Sequence, residues 1–380
     1  MPIKLFVIAG EVSGDLHAEG VIAELLKARP EVEVFGIGGP RLRALGATLL
    51  YDTRQMSIMG FVDVIKHAGF LRRVLRDLKE AIRREKPSAA LLVDYPGMNL
   101  VMARFLHELG IPVIFYISPQ VWAWKEGRVE KIRKYVDRLL VIFDFEVDFF
   151  RRHAINAEFV GHPVVEELST LTFPSRDQFL QKHGLSPATR LIGLLPGSRR
   201  QEIAHIFPEM LKAARLLSKE YPVAFLFGRA PHLDERDYAI LSPYADLQLI
   251  NCPAYEVMHY SELVLVTSGT ATLESLCFGV PMVVLYRTGT LNYLIGRQLV
   301  RLKNISLANI VSKGLESSER VVPELIQHEA SGEGICQEAR KILDNPELSA
   351  AMQRELLQAR SRLAGASPSE RVAGILQEYL

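Results

Sequence analysis

Residues 89–100 read AALLVDYPGMNL. Apolar residues from Ala89 to Val93 run without interruption into a carboxylate, Asp94, and then into a Pro-Gly turn. A continuous apolar run, as opposed to an alternating one, is what a strand covered by helices on both faces looks like. An acid where such a strand gives out has two readings. It caps the next helix or seeds the turn, or it stands where parallel α/β sheets bind ligands, beyond the carboxyl ends of the strands. Similar runs recur at 4–10, 32–39, 111–117, 138–143 and 157–162, separated by longer amphipathic stretches. After residue 190 the alternation restarts with 191–197, 223–228, 247–250, 263–269 and 281–286. Two such arrays predict an α/β protein of two Rossmann-like, doubly wound domains facing a central cleft. Periodicity is lost in PVVEELSTLTFPSRD (163–177), so the expected division is 1–165, 166–365 and a terminal helix within 366–380 returning towards the first domain.

Composition narrows the class. At 380 residues the chain is long for one core, and its 45 basic and 44 acidic residues leave a formal charge of +1. A general nucleic-acid binder needs a basic excess to neutralise phosphates, so no nucleic-acid partner is expected. Cys252, Cys277 and Cys336 are far apart and sit in or beside apolar runs, which suits buried hydrophobes in a reducing compartment. The apolar start, Ile3 to Ile8, is too short for a secretory signal, and no run approaches the roughly 20 residues of a membrane span. A cytoplasmic protein is expected.

The loops after the strands carry the candidate chemistry. AGEVSGDLHAEG (9–20) places Ser13 and Asp15 at a helix start, either as plain caps or near a substrate. LLPGSRRQE (194–202) puts Gly197, Ser198 and Arg199 between strand and helix. That set suits a phosphate, whose charge the free N–H groups and guanidinium answer, or is a turn glycine with a surface arginine. VTSGTATLES (266–275) repeats the theme with Ser268, Gly269 and Thr270, and Glu274 follows one turn on, suited to vicinal hydroxyls. Two phosphate-type loops with a carboxylate for a ribose diol point to a nucleoside diphosphate. P-loop, H-E-x-x-H and G-x-S-x-G patterns are absent, and no His/Cys cluster suggests a metal. His162 reads as a turn or hinge residue.

Residues 56–86, MSIMGFVDVIKHAGFLRRVLRDLKEAIRREK, combine a crowded apolar segment with a strongly basic helix. One reading is a sheet-covering helix with a solvated face. The other is apolar surface beside cations, as used on an anionic leaflet or for an acyl chain.

Taken in order, AGEVSGD (9–15), MSIMGFVDV (56–64), DYPGMN (94–99), SPQVWAW (118–124), FVGHP (159–163), LLPGSR (194–199), SGTATLE (268–274), PMVVLYR (281–287), SLANI (306–310) and PELIQ (323–327) span nearly the whole chain. In these stretches the sequence resembles the lipid-A-disaccharide synthase family, bacterial glycosyltransferases of the two-domain GT-B type. Two departures stand out: SLANI has alanine where the family usually has proline, and Pro-Gly-Met follows where a second acid would come after Asp94.

The resemblance implies that UDP-2,3-diacylglucosamine donates its sugar to the 6-hydroxyl of 2,3-diacylglucosamine 1-phosphate. A β(1→6) disaccharide phosphate and UDP form, with inversion and without metal or other cofactor. It implies Asp94 as general base, with Ser13, Asp15 and Asn99 orienting it or holding the acceptor. Gly197, Ser198, Arg199, Ser268, Gly269, Thr270 and Glu274 would hold the UDP-sugar. Asn309, Glu324 and Gln327 are carried over as donor-site residues. Met59, Phe61, Val62, Val64, Ile65 and Leu71 would touch acyl chains or the cytoplasmic face of the inner membrane, where the enzyme, monomer or homodimer, would associate peripherally. The nearest rival is a UDP-sugar 2-epimerase of similar fold, and a further one a peripheral UDP-sugar sensor without turnover.

Overall fold

The computed structural model describes residues 2–56, 68–122, 126–230, 233–289, 293, 302–365 and 367–380. Met59, Phe61, Val62, Val64 and Ile65, expected to contact acyl chains, lie outside the described residues. The chain divides into two compact units: Met1–Glu166 with Leu363–Leu380, and Glu167–Arg362.

The first unit is built on a parallel sheet whose described strands are β1 (Lys4–Ala9), β2 (Glu33–Gly38), β3 (Thr48–Asp52), β4 (Ala89–Val93), β5 (Val113–Tyr116), β6 (Arg138–Val141) and β7 (Ala157–Phe159). Their spatial order is β3-β2-β1-β4-β5-β6-β7. Residues Leu5–Ala9 and all of β4 are buried, as their unbroken apolar runs require. Helix Ala68–Glu85 covers the unit with a stripe of Val74, Leu78, Ala81 and Ile82 at helical spacing. Its other face exposes Arg72, Arg73, Arg76, Arg83 and Arg84, and Leu71 is half-buried between the two. The terminal helix Pro368–Gln377 belongs to this unit and packs on helix Val12–Ala28. Ser367 caps it, accepting from the Glu370 N–H at 3.2 Å.

The second unit repeats the plan with β8 (Arg190–Leu195), β9 (Val223–Phe227), β10 (Leu249–Asn251), β11 (Leu263–Thr267), β12 (Met282–Tyr286) and β13 (Glu324–Ile326). Their order is β10-β9-β8-β11-β12-β13, again parallel among the described pairs. Two strands escape the apolar-run pattern, β3 and β13. Both are edge strands with half-buried residues, so neither presents a continuous hydrophobic stretch.

Strand order reverses once in each sheet: between β1 and β4 in the first, and between β8 and β11 in the second. At such a switch point the following helices leave to opposite faces and open a crevice beyond the strand ends. The loops that open from these four strands are those holding Gly10, Asp94, Gly197–Arg199 and Ser268–Thr270. Topology therefore gathers the chemistry-bearing loops in pairs.

Candidate active site

In the first unit, Asp94 follows β4 directly, and its backbone enters the left-handed region with φ 46°, followed by Tyr95 at 44°. Consecutive non-glycine residues there are rare, because the side chain crowds its own backbone. Asn99, fully buried in helix Pro96–Glu108, holds the turn. Its Nδ2 donates to the carbonyls of Val93 at 3.2 Å and Asp94 at 2.6 Å. The Asp94 N–H meanwhile donates to Tyr116 at 3.0 Å, extending the β4–β5 ladder by one residue. Tyr95 lays its ring over Gly10, where a Cβ would stand 2.5 Å from the ring. The exits of β1 and β4 are thus interlocked, and a glycine at position 10 is a steric requirement.

This frame leaves the Asp94 side chain half-buried at a cavity of about 230 Å³, shared with Ile117, Ser118, Gln120, Arg128 and Glu146. Burial is the main cause that raises the Asp94 carboxyl to about 6, and the Glu11 charge adds to it. Such a group is ionised at neutral pH yet holds a proton far better than an exposed aspartate, which suits a base.

Glu146 lies on the buried side of the same cavity. Its Oε1 accepts from Ser118 Oγ at 2.8 Å and Trp122 Nε1 at 3.0 Å, and its Oε2 from the Phe143 N–H at 3.2 Å. Burial nevertheless raises its carboxyl to about 7, outweighing those hydrogen bonds. It pins the loop after β5, where Ile117 adopts φ 62°, a strained value for a β-branched residue. Neither Glu146 nor Glu11 was singled out by sequence reasoning. Glu146 sits at the third position of helix Asp144–Arg152, where a carboxylate looks like an ordinary cap.

Ser13 lies exposed in the first turn of helix Val12–Ala28. Asp15, expected to orient Asp94 or hold the acceptor, has its carboxylate among backbone donors. It is buried, and its carboxylate accepts from the N–H groups of Gly39 at 2.6 Å, Arg41 at 3.1 Å and Leu42 at 3.4 Å. It therefore caps helix Pro40–Ala44 across 24 or more residues of sequence.

In the second unit, Gly197, Ser198, Arg199, Ser268, Gly269, Thr270 and Glu274 all line one cavity of about 400 Å³, a size that suits a nucleotide. Gly197 has φ 101°, and a Cβ there would stand 2.3 Å from Glu202 Oε2. That oxygen accepts from the N–H groups of Ser198 at 2.9 Å and Arg199 at 3.1 Å, while Oε1 takes the Arg199 guanidinium at 2.8 Å. Glu202 thus braces the loop. Across the cavity, helix Thr270–Phe278 begins at the exit of β11, with its N-terminal dipole towards the opening. Burial raises Glu274 to about 7, with a contribution from Glu167.

Asn309, Glu324 and Gln327 are not among the described lining residues of this cavity. Asn309 is buried, accepting from Val321 and Val322 N–H and donating to Glu324 at 2.9 Å. Glu324 in turn accepts from the N–H groups of Ile305 and Ser306, and the Ile305 carbonyl accepts from Ser268 Oγ at 3.0 Å. Gln327 pairs with the Thr288 backbone through both its Oε1 and Nε2. Asn309 and Glu324 thus stand behind the Ser268 loop and support it through Ile305, while Gln327 holds the segment after β12 at Thr288. Among the described residues no three His, Cys, Asp or Glu side chains converge as a metal-binding set, and no helix is long and apolar enough to cross a membrane.

Two doubly wound parallel-sheet units of this kind define the GT-B architecture. Solved structures share it along essentially the whole chain. A UDP-GlcNAc 2-epimerase from Neisseria meningitidis bound to UDP-GlcNAc matches with TM-score 0.60 at 14% identity, covering 99% of each chain. The calicheamicin glycosyltransferase CalG4 matches with TM-score 0.59 at 16% identity, covering 100% of this chain and 98% of that one. Identities so low establish the fold alone.

Sequence likeness goes further. A family model described as lipid-A-disaccharide synthetase matches residues 5–375. The lipid-A-disaccharide synthase of Geobacter sulfurreducens is 40% identical over 380 residues, covering 99% of this chain and 97% of that protein. That of Myxococcus xanthus is 38% identical over 385 residues, covering 100% and 98%. The chain belongs to the lipid-A-disaccharide synthetase family and is a glycosyltransferase.

Gly197→Ala tests whether the Gly197–Arg199 loop belongs to a nucleotide site. A side chain there is strained and would also stand 2.3 Å from Glu202 Oε2, so the loop and its N–H groups must shift, and UDP affinity by calorimetry is expected to fall about tenfold or more. Gly314→Ala, at φ 94° with open space around it, is the strain control and should bind UDP normally. Unchanged affinity in Gly197→Ala would remove this loop from the nucleotide site.

Proposed function

We propose that the chain transfers 2,3-diacylglucosamine from its UDP derivative to the 6-hydroxyl of 2,3-diacylglucosamine 1-phosphate. The observation that carries this is Asp94, a carboxylate raised to about 6 at the β1/β4 switch point of a family member. Asp94 takes the proton of the acceptor hydroxyl as its oxygen attacks the anomeric carbon. The new C–O bond forms as the bond to the β-phosphate breaks, and UDP leaves with the electron pair, so the configuration inverts. The Gly197–Arg199 and Ser268–Thr270 loops offer N–H groups, hydroxyls and a guanidinium to the departing phosphates, the role of preorganised donors in transition-state stabilisation. Glu274 suits the ribose hydroxyls, which its protonated form can donate to and its ionised form accept from.

The epimerase reading draws on the structural neighbours, which support a common fold. An epimerase cleaves the same type of bond but needs no second sugar, so acceptor dependence separates the two. In mixed micelles, UDP release from the donor is expected only when the acceptor is present. Asp94→Ala should lower kcat by about 100-fold or more while UDP binds as in the wild type. Acceptor-independent release, or a variant within about tenfold of wild type, would overturn the reading.

The substrates carry acyl chains, and the exposed arginines of helix Ala68–Glu85 suit a peripheral position on the anionic cytoplasmic face of the inner membrane. Sedimentation with phosphatidylglycerol vesicles should exceed that with phosphatidylcholine vesicles. Arg72→Glu/Arg73→Glu/Arg76→Glu should abolish the difference; equal binding of the wild type to both would contradict the assignment.

A further inference from the structure

The cavity beside Asp94 poses a charge problem. Its described lining contains two carboxylates, Asp94 and Glu146, and a single Lys or Arg side chain, Arg128. Glu146 is spent on Ser118, Trp122 and Phe143. Asp94 must stay ionised to act as a base. A ligand bearing a phosphate monoester would bring up to two further negative charges into this partly dehydrated space. It can stay only if a cation meets it, because low-dielectric surroundings strengthen repulsion as much as attraction.

We propose that Arg128 anchors the anomeric phosphate of the acceptor sugar, an inference that rests on the transferase reading above. The cavity of about 230 Å³ has room for one sugar ring but not for its acyl chains, so the reacting ring and its phosphate are the part it would enclose. Arg128 ends the short helical turn Glu126–Arg128 and is half-buried. A guanidinium presents a planar fork of N–H groups that fits two phosphate oxygens at once, which an ammonium does not. Gln120, from the loop that Glu146 pins, lines the same cavity and adds an amide donor.

With the phosphate held at one point and a hydroxyl at another, the ring has one productive orientation. Arg128 thereby determines which hydroxyl reaches Asp94. It also makes the phosphate a recognised feature of the acceptor and not a bystander.

The test compares the phosphorylated acceptor with 2,3-diacylglucosamine lacking the 1-phosphate, for wild type, Arg128→Met and Arg128→Lys. A charge-assisted interaction of this kind predicts a wild-type preference of about 10- to 100-fold in kcat/KM for the phosphorylated acceptor. Arg128→Met should bring the ratio to within about threefold of one, with the loss falling mainly on KM, and Arg128→Lys should lie between. The ratio is internal to each protein, so a partly misfolded variant lowers both rates and leaves it unchanged. If Arg128→Met does not fold, the ratio in Arg128→Lys decides. A wild type indifferent to the phosphate, or either variant keeping the full preference, overturns the assignment. Transfer to neither acceptor by the wild type would instead overturn the transferase reading beneath it.

Discussion

The side-chain amide of Asn99 grips the carbonyls of Val93 and Asp94, and the candidate site of the first unit depends on that grip. Without it, two consecutive left-handed residues would relax, since each costs about 1–3 kcal/mol outside a structure that enforces it. With it, strand β4 ends in a fixed hook. Asp94 cannot swing away with the loop, and Tyr95 is set down on Gly10 at the exit of the neighbouring strand. Asn99 is thus a positioning residue: it touches the backbone of Asp94, not its carboxylate. Its burial in helix Pro96–Glu108 ties the hook to the sheet through the helix that follows.

The second unit solves the equivalent problem with carboxylates. Glu202 holds the loop after β8 by its own N–H groups, and Glu324 holds the segment at Ile305–Ser306 against which Ser268 bonds. Under the proposed transfer these loops meet a phosphate, and such donors must stand ready before it arrives, because reorganising them during the reaction would forfeit much of their effect. The residues behind the loops supply that readiness. Asn309 belongs to this supporting layer, with all its amide hydrogen-bonding capacity directed at backbone and Glu324.

Much of this was legible in the sequence, for physical reasons. Strands covered on both faces must be apolar throughout, so β1, β4, β8 and β11 declare themselves, and the loops after them inherit their significance. Edge strands β3 and β13 are half-exposed and carry no such mark. Local spacing could not reveal that Asp15 reaches across to the loop after β2, or that Glu146 reaches back to Ser118 and Trp122. Both are side-chain commitments made over 24 to 28 residues. Spacing also could not separate Asn309 and Glu324, which support the loop, from Gly269 and Glu274, which face the cavity.

The role of Asp94 is tested most directly by the pH dependence of kcat at saturating substrates. Burial, with the Glu11 charge, places its carboxyl at about 6. A base works only when deprotonated, so kcat should rise about tenfold per pH unit up to the pKa that Asp94 holds in the loaded site, and level off above it. The slow residual activity of Asp94→Asn should lack this acidic limb. A wild-type rate that is flat from about pH 5 to 8, or a limb that persists in Asp94→Asn, would assign the proton transfer to another group and contradict the account.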